Sequence, residues 1–219
     1  ISGHIPDTFS GLSRLELLNL FRNRVQGPIP GFIATLPSLQ VLSLWENNMT
    51  GSVPTQLGLL QDLVILDLSS NAFIGPIPPD LCARGHLERL VLFNNHFSGY
   101  IPESLGTNCS NLVQIRLGHN NLSGPIPSGL MSLPSLQILE APLNRLSGSI
   151  PAQIPYNDKL GRLDLSGNSL TTLYRRVFVT YPRFKPTVTS GSHHSGKSST
   201  TCNNMVQSIM LDNLQGKYT

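Results

Sequence analysis

The sequence predicts an α/β-type solenoid of about seven 24-residue repeats that share one concave parallel β-sheet. Three observations carry this prediction: asparagine recurs at a fixed interval, leucines precede it in a fixed pattern, and a glycine–proline segment follows it. The interval is 24 residues, with a single one of 25, and the asparagines are Asn23, Asn47, Asn71, Asn95, Asn120, Asn144 and Asn168. A period of this length indicates similar coils stacked on one another.

The leucines before each asparagine predict a short β-strand. Leu18 and Leu20 precede Asn23 in the pattern L-x-L-x-x-N, and the later repeats keep this spacing. Side chains alternate along a strand, so both leucines point inward and their neighbours point outward. Because one repeat cannot bury its apolar face alone, neighbouring repeats must stack to form a continuous core.

The asparagine itself has a physical role in such a stack. Its side-chain amide both donates and accepts hydrogen bonds, so it can satisfy backbone groups of its own coil and of adjacent coils. A buried backbone group without a partner costs about 1–3 kcal/mol. The segment that follows, G-x-[IV]-P, combines a residue that permits tight bends with one that fixes φ. It is predicted to turn onto the convex side.

The complete unit, N-x-Φ-x-G-x-[IV]-P with Φ apolar, resembles the plant-specific class of leucine-rich repeats. The resemblance covers residues 1–170, which we predict to form the leucine-rich repeat solenoid, with a partial first repeat. Residues 171–219 are predicted to be a basic, Ser/Thr-rich, disordered tail. The chain starts inside a repeat, so we expect it to be a fragment of a longer protein.

Charge is distributed unevenly along the chain. The formal net charge is +3, but residues 171–219 carry six Lys or Arg against Asp212 alone, which leaves the repeat region at −2. The basic character therefore belongs to the tail, and we expect no nucleic-acid partner for the solenoid. The sequence contains no apolar run long enough to span a membrane and no visible signal peptide.

Three sequons and two cysteines favour the secretory pathway. The sequons begin at Asn48, Asn108 and Asn121 and match the N-glycosylation pattern. Cys82 and Cys109 lie in adjacent repeats at comparable convex positions, where they could form a disulfide or pack as two small buried hydrophobic residues.

Recognition in a solenoid is expected at the exposed strand positions. Phe21, Trp45 and Phe93 share one repeat position with Ser69, and exposed aromatic residues are typical anchors of binding sites. Nearby polar residues that can add contacts are Arg22, Arg24, Glu46, Asn94, His96 and His119. The alternative is that the aromatic rings cover gaps between repeats. The pattern favours a groove for an extended peptide over four or five repeats.

A closer resemblance lies in residues 18–31 (LNLFRNRVQGPIPG), 36–54 (LPSLQVLSLWENNMTGSVP) and 101–120 (IPESLGTNCSNLVQIRLGHN). These segments resemble the ectodomain of the CLAVATA and BARELY ANY MERISTEM receptor kinases of plants. The resemblance implies a single-pass receptor that binds a secreted CLE-like peptide and acts with a co-receptor kinase. It also implies that the parent protein carries an intracellular Ser/Thr kinase domain, whereas this chain has none and is not itself an enzyme.

The same family commonly carries Arg-x-Arg on one strand, where the pair binds the carboxylate of the peptide. Gln114 and Arg116 occupy the matching positions, so only one arginine remains. A glutamine supplies a hydrogen bond but no charge, which lowers the expected affinity by about 1–2 kcal/mol, or roughly tenfold. Either the ligand differs or this copy binds its peptide more weakly.

The tail contains a match to G-x-x-x-x-G-K-[ST], the phosphate-binding loop, at residues 191–198. No buried strand precedes it and no helix start follows it, so we interpret the match as chance. His193, His194 and Cys202 are too few for a convincing metal site. The abrupt end of the repeat pattern favours a reading-frame or gene-model artefact after residue 170.

The sequence therefore predicts part of the extracellular ligand-recognition domain of a receptor-like kinase, at the outer face of the plasma membrane. No cofactor and no metal are expected. The alternative is a secreted leucine-rich repeat inhibitor that resembles the polygalacturonase-inhibiting proteins.

Overall fold

The computed structural model describes residues 1–150 and 159–171, and their fifteen strands, numbered in chain order, form two parallel sheets. The concave sheet consists of β2 Leu17–Asn19, β4 Val41–Ser43, β6 Ile65–Asp67, β8 Arg89–Val91, β10 Gln114–Arg116, β12 Ile138–Glu140 and β14 Arg162–Asp164. The second sheet consists of β1 Ser2–Gly3, β3 Arg24–Gly27, β5 Asn48–Gly51, β7 Ala72–Gly75, β9 His96–Tyr100, β11 Asn121–Gly124, β13 Arg145–Ser149 and β15 Ser169–Thr171.

The concave sheet confirms the predicted strand and its register. Equivalent residues of successive repeats lie directly opposite each other, as Leu18 does to Leu42. The inward leucines of the L-x-L pattern form one core between the two sheets; Leu42 and Leu44, for example, are fully buried. Leu20, in the first complete repeat, is an exception, since it is only partly buried.

The second sheet was not predicted. It is formed by the N-x-Φ-x-G segment, which we expected only to turn onto the convex side. Its apolar residue points inward, as Val25 shows at 2% exposure. Its register is shifted by two residues per strand, so that Gln26 lies opposite Asn48 rather than Thr50. These strands have two to five residues with at most one buried side chain, which is too short an alternation to reveal a strand in sequence.

One glycine of the second sheet shows why this position excludes other residues. Gly124 has φ +73°, and a Cβ atom there would lie 2.4 Å from the ring of Tyr100 in the preceding repeat. The side chain that follows the glycine of one repeat thus covers the glycine of the next repeat. At Gly124 both the backbone angle and the lack of space exclude any residue with a side chain.

Most of the described convex connections contain a short helix, and the 3-10 helices each begin directly after a proline. The 3-10 helices are Asp7–Gly11, Gly31–Thr35, Thr55–Leu59 and Ser128–Ser132, and an α-helix, α1, spans Ser104–Thr107. Pro30, Pro54 and Pro127 each precede a 3-10 helix as its N-cap. The proline of G-x-[IV]-P therefore marks the start of the convex helix rather than the end of a strand.

The asparagine ladder makes the hydrogen bonds that were predicted for it. The Asn95 Nδ2 group donates to the carbonyl of Leu68 in the preceding coil at 3.0 Å and to that of Leu92 in its own coil at 3.2 Å. Its Oδ1 atom accepts the N–H of Phe73 at 3.0 Å. Each asparagine therefore joins two consecutive coils through their backbones.

Cys82 and Cys109 are joined by a disulfide, with their Cα atoms 5.2 Å apart. Both residues are buried, at 3% and 0% exposure. The bond links the convex connection between β7 and β8, which has turns in place of a helix, to the end of α1. The sequence left open whether the two cysteines form a disulfide or pack as separate buried residues, and the structure has the disulfide.

Residues 172–219 lie outside the described residues, as do residues 151–158. The match to the phosphate-binding loop at residues 191–198, the candidate metal ligands His193, His194 and Cys202, and the proposed tail all fall there. They stay predictions from sequence. Within the described residues, no helix is long and apolar enough to cross a membrane, and no group of three or more His, Cys, Asp or Glu residues could hold a metal ion.

Candidate ligand-binding face

The outward positions of the concave sheet form two parallel columns, one on each side of the inward leucines. The strict register aligns them as predicted. The first column contains Leu17, Val41, Ile65, Arg89, Gln114, Ile138 and Arg162. The second contains Asn19, Ser43, Asp67, Val91, Arg116, Glu140 and Asp164. The first column is therefore apolar over β2, β4 and β6, and the second column is charged over β10, β12 and β14.

Phe21, Arg22, Trp45 and Glu46 form one contact group beside the apolar strands, which we call the aromatic end. The rings of Phe21 and Trp45 stack with centroids 5.6 Å apart. The guanidinium of Arg22 lies 5.0 Å from the centroid of the Trp45 ring, and its Nε donates to Glu46 Oε2 at 2.8 Å. Cation–π contacts of this kind are attractive by about 0.5–1 kcal/mol at exposed sites.

The backbone before each ladder asparagine helps to position this group. Arg22 and Glu46 have φ values of 53° and 56°, in the left-handed region that residues other than glycine seldom occupy. The residue before Asn120, His119, has φ 55°. A positive φ at this step turns the chain from the concave strand toward the second sheet, so these side chains lie along the rim of the concave face.

The predicted aromatic row is divided into two pairs. Phe93 contacts His119, edge to face with ring centroids 4.8 Å apart, and does not continue the stack of Phe21 and Trp45. Between the pairs, Ser69 is buried, and its backbone N–H and its hydroxyl both donate to Asp67 Oδ1. The prediction that the whole column is exposed was therefore wrong at Ser69, because the aspartate folds the serine back onto the strand end.

Arg116, Glu140 and Arg162 form the charged end of the face. Arg116 Nε lies 2.9 Å from Glu140 Oε2, and Arg162 Nε contacts the other carboxylate oxygen. The Glu140 side chain is only 12% exposed, whereas those of Arg116 and Arg162 are 38% and 45% exposed. Arg116 Nε is itself buried and makes no hydrogen bond within the described residues, so its contact with Glu140 is an ion pair of poor hydrogen-bond geometry.

The carboxylate of Glu140 changes the expectation for Gln114 and Arg116. Both residues flank the buried Ile115 and point outward, as predicted. The remaining arginine, however, already has an anionic partner on the neighbouring strand β12. A ligand carboxylate at this position would have to compete with Glu140, which the sequence pattern of one strand could not reveal.

Other candidates lie away from the concave face. Arg24 and His96 are the first residues of β3 and β9, in the second sheet, and the expectation that they add contacts to a concave ligand stays a prediction. Asn48 and Asn121 begin β5 and β11 in the same sheet. Asn108 is exposed and follows α1 on the convex side.

The leucine-rich-repeat family model matches residues 38–60, 62–83, 86–108 and 111–133. The chain is a leucine-rich-repeat solenoid. No curated protein matches it in sequence.

Among solved structures, the solenoid resembles the plant peptide hormone receptor RGFR1 in complex with RGF2, at 39% identity and a TM-score of 0.74 over 77% of this chain. It resembles the Arabidopsis receptor kinase HAESA, solved with the peptide hormone IDA and the co-receptor SERK1, at 37% identity and a TM-score of 0.67 over 77% of this chain. It also resembles a plant ice-binding protein, at 34% identity and a TM-score of 0.75 over 80% of this chain. The solenoid spans 27%, 32% and 56% of these three chains.

Proposed function

We propose that this solenoid is part of the extracellular ligand-recognition region of a plant receptor-like Ser/Thr kinase and binds a secreted peptide along its concave face. The observation that carries the proposal is the continuous in-register face with an aromatic end and a charged end. Two similar structures, RGFR1 and HAESA, are receptors in complex with peptide hormones, which supports the same use of this face.

The aromatic end supplies the anchoring surface for such a ligand. Phe21 is 44% exposed and Leu17 is 55% exposed, although both are large and apolar. Exposed apolar side chains grouped beside a charged pair are typical of recognition sites, where their burial supplies much of the binding free energy. We expect apolar side chains of the peptide to cover Phe21 and Trp45, while Glu46 and Arg22 hydrogen-bond to its polar groups.

The charged end supplies specificity. Arg116 and Arg162 share the carboxylate of Glu140, so the three groups carry one net positive charge. A CLE-like peptide carboxylate is therefore attracted to this end less strongly than to two unpaired arginines. Gln114 on β10 can offer a neutral hydrogen bond, and His119 at the rim after the same strand can add a further polar contact.

We further propose that signalling requires parts of the protein outside this chain. HAESA is solved together with the co-receptor SERK1, which supports a co-receptor kinase as the second partner. The parent protein would carry the membrane span and the kinase domain, with this solenoid at the outer face of the plasma membrane. We assign neither a cofactor nor catalytic residues to this chain.

Calorimetric titration with a panel of synthetic CLE-type peptides tests the proposal. We expect at least one peptide to bind with a Kd below about 100 μM, which corresponds to about −5.5 kcal/mol. A receptor ectodomain that carries both arginines is the positive control for the peptides. If that control binds and this chain binds none of the panel, the peptide-receptor proposal is wrong for this chain.

A further inference from the structure

We propose that the Cys82–Cys109 disulfide limits N-glycosylation at Asn108, whereas Asn48 and Asn121 are glycosylated independently of it. The inference rests on the extracellular part of the proposed function, because glycan transfer and disulfide formation both belong to the secretory pathway. It concerns the three sequons, none of which lies on the concave face.

The three sequons share one structural feature. The middle residue of each, Met49, Cys109 or Leu122, is fully buried in the core of the folded solenoid. A transferase must draw the acceptor tripeptide into its own active site, which the folded chain prevents at all three positions. Glycan occupancy is therefore decided while the chain is still unfolded.

The chemistry of glycan transfer requires that the side-chain nitrogen of the acceptor asparagine reaches the oligosaccharide donor. The carboxamide nitrogen of asparagine attacks the anomeric carbon of an oligosaccharide carried on a polyprenyl diphosphate. A C–N bond forms, the bond from the anomeric carbon to the diphosphate oxygen breaks, and the polyprenyl diphosphate leaves while the amide nitrogen loses a proton to a base. The nitrogen can reach the sugar only while the backbone on both sides of it is free.

Asn48 and Asn121 are held by reversible strand pairing alone. Asn48 lies opposite Gln26 of the earlier β3, and Asn121 lies opposite Ser98 of the earlier β9. The other sides of β5 and β11 are covered only when the later strands β7 and β13 have formed. Domains form from the N-terminus during synthesis at roughly 5–20 residues per second. Both sequons therefore enter the secretory pathway before their sheet is complete.

Asn108 differs because the residue next to it is joined covalently to an earlier residue. Cys82 precedes Cys109 by 27 residues, so it is already present when the sequon Asn108-Cys109-Ser110 emerges. Oxidation of the two thiols transfers two electrons and two protons to a disulfide-bearing oxidoreductase and ties the middle residue of the sequon to the convex core. Disulfide formation takes seconds or longer, and the chain emerges at roughly 5–20 residues per second, so the sequon is present for both reactions during the same period.

The local contacts strengthen this constraint once the disulfide forms. The Asn108 backbone N–H donates to the Ser104 carbonyl at 2.8 Å, and its Oδ1 accepts the Thr107 hydroxyl at 3.0 Å. The carbonyl of Cys109 accepts the N–H of Leu112 at 3.0 Å. Hydrogen bonds thus hold the acceptor Asn108 and the backbone of the disulfide-bonded Cys109 that follows it.

The test is glycan occupancy at the three sequons, measured by mass spectrometry after enzymatic deglycosylation in heavy-oxygen water. The full chain is expressed behind a secretory leader in plant cells, as wild type and as Cys82→Ser, and total cellular and secreted protein is analysed together. We expect low occupancy at Asn108 in the wild type and a rise to the level of Asn48 in Cys82→Ser. Asn48 and Asn121 serve as internal controls and should not change.

Leu105→Ala is the matched control variant. Leu105 is fully buried in α1, close to Asn108 in sequence, so its loss slows or weakens folding while both cysteines remain in place. Equal rises at Asn108 in Leu105→Ala and Cys82→Ser, or no rise in Cys82→Ser, would overturn the inference. Absence of glycan from all three sequons would overturn both this inference and the extracellular proposal, whereas modified Asn48 and Asn121 with an unresponsive Asn108 would overturn the inference alone.

Discussion

Arg116 and Glu140 face each other across the neighbouring strands β10 and β12, with the arginine Nε 2.9 Å from the glutamate Oε2. A second arginine, Arg162 on β14, contacts the same carboxylate from the other side. A carboxylate at 12% exposure between two guanidiniums gives each of them an anionic partner in the absence of ligand. The charge that a peptide meets at this end therefore depends on Glu140 as much as on the arginines.

Glu140→Gln should strengthen binding of a peptide that ends in a free carboxylate. The substitution removes the competing anion and leaves Arg116 and Arg162 free to bind the ligand, so we expect affinity to rise by up to about tenfold, or about 1.4 kcal/mol. Calorimetric titration with the free-acid and C-terminally amidated forms of one peptide measures the effect, which should be confined to the free acid.

Glu88→Gln is the matched control for this prediction. Glu88 is exposed and immediately precedes β8, outside the two outward columns, so its substitution removes the same formal charge elsewhere. Equal gains in affinity for the two variants would mean that only overall charge matters. A loss of affinity in Glu140→Gln would mean that the carboxylate is needed to position the arginines.

Trp45→Ala should weaken peptide binding by about 2 kcal/mol or more, the range that defines anchor residues of interfaces. The Trp45 ring stacks on Phe21 and lies beneath the Arg22 guanidinium, so its loss removes apolar contact area and releases two neighbours. Fluorescence anisotropy with a labelled peptide measures the affinity.

Trp45→Phe keeps an aromatic ring at the same position and is the control for Trp45→Ala. It should retain most of the affinity, because the stack with Phe21 persists. Ser69→Ala is unsuitable as a control, since Ser69 is buried and hydrogen-bonded to Asp67. If Trp45→Ala and Trp45→Phe bind equally well, the aromatic end is not an anchor.

The concave sheet was predictable because three independent features of the sequence recur in every repeat. The leucine alternation, the 24-residue period and the inward asparagine each specify the same strand, and the observed register follows from them. The candidate site was predictable only as columns of positions. Which residues contact each other across strands depends on side-chain reach and local folding, as with Glu140 between two arginines and Ser69 turned back onto Asp67.

Asn95→Ala should lower the free energy of unfolding by about 1–3 kcal/mol, the cost of a buried backbone group left without a partner. Asn95 is 5% exposed, and its loss removes the acceptor of the Phe73 N–H and one of the two side-chain donors to the Leu68 carbonyl. Urea unfolding followed by circular dichroism measures the change. Asn23→Ala, at a more accessible rung of the same ladder, should cost less because water can replace the side chain there. Similar costs for both variants would contradict the explanation by burial.

Gly106→Ala should destabilise the convex side by about 1–3 kcal/mol, the usual cost of inserting a methyl group into a closely packed site. A Cβ atom on Gly106 would lie 2.7 Å from the backbone of Gly129 and Leu130, where α1 packs against the next convex helix. Rigid backbone cannot yield at this distance as a flexible side chain could. Gly31→Ala is the control, because a Cβ atom there meets nothing within 4 Å. It should be neutral or slightly stabilising, since alanine restricts the unfolded chain. Thermal unfolding of both variants measures the difference. Equal melting temperatures would show that the coils can move apart to admit the methyl group. The close contact between the two helices would then not limit the stacking of the repeats.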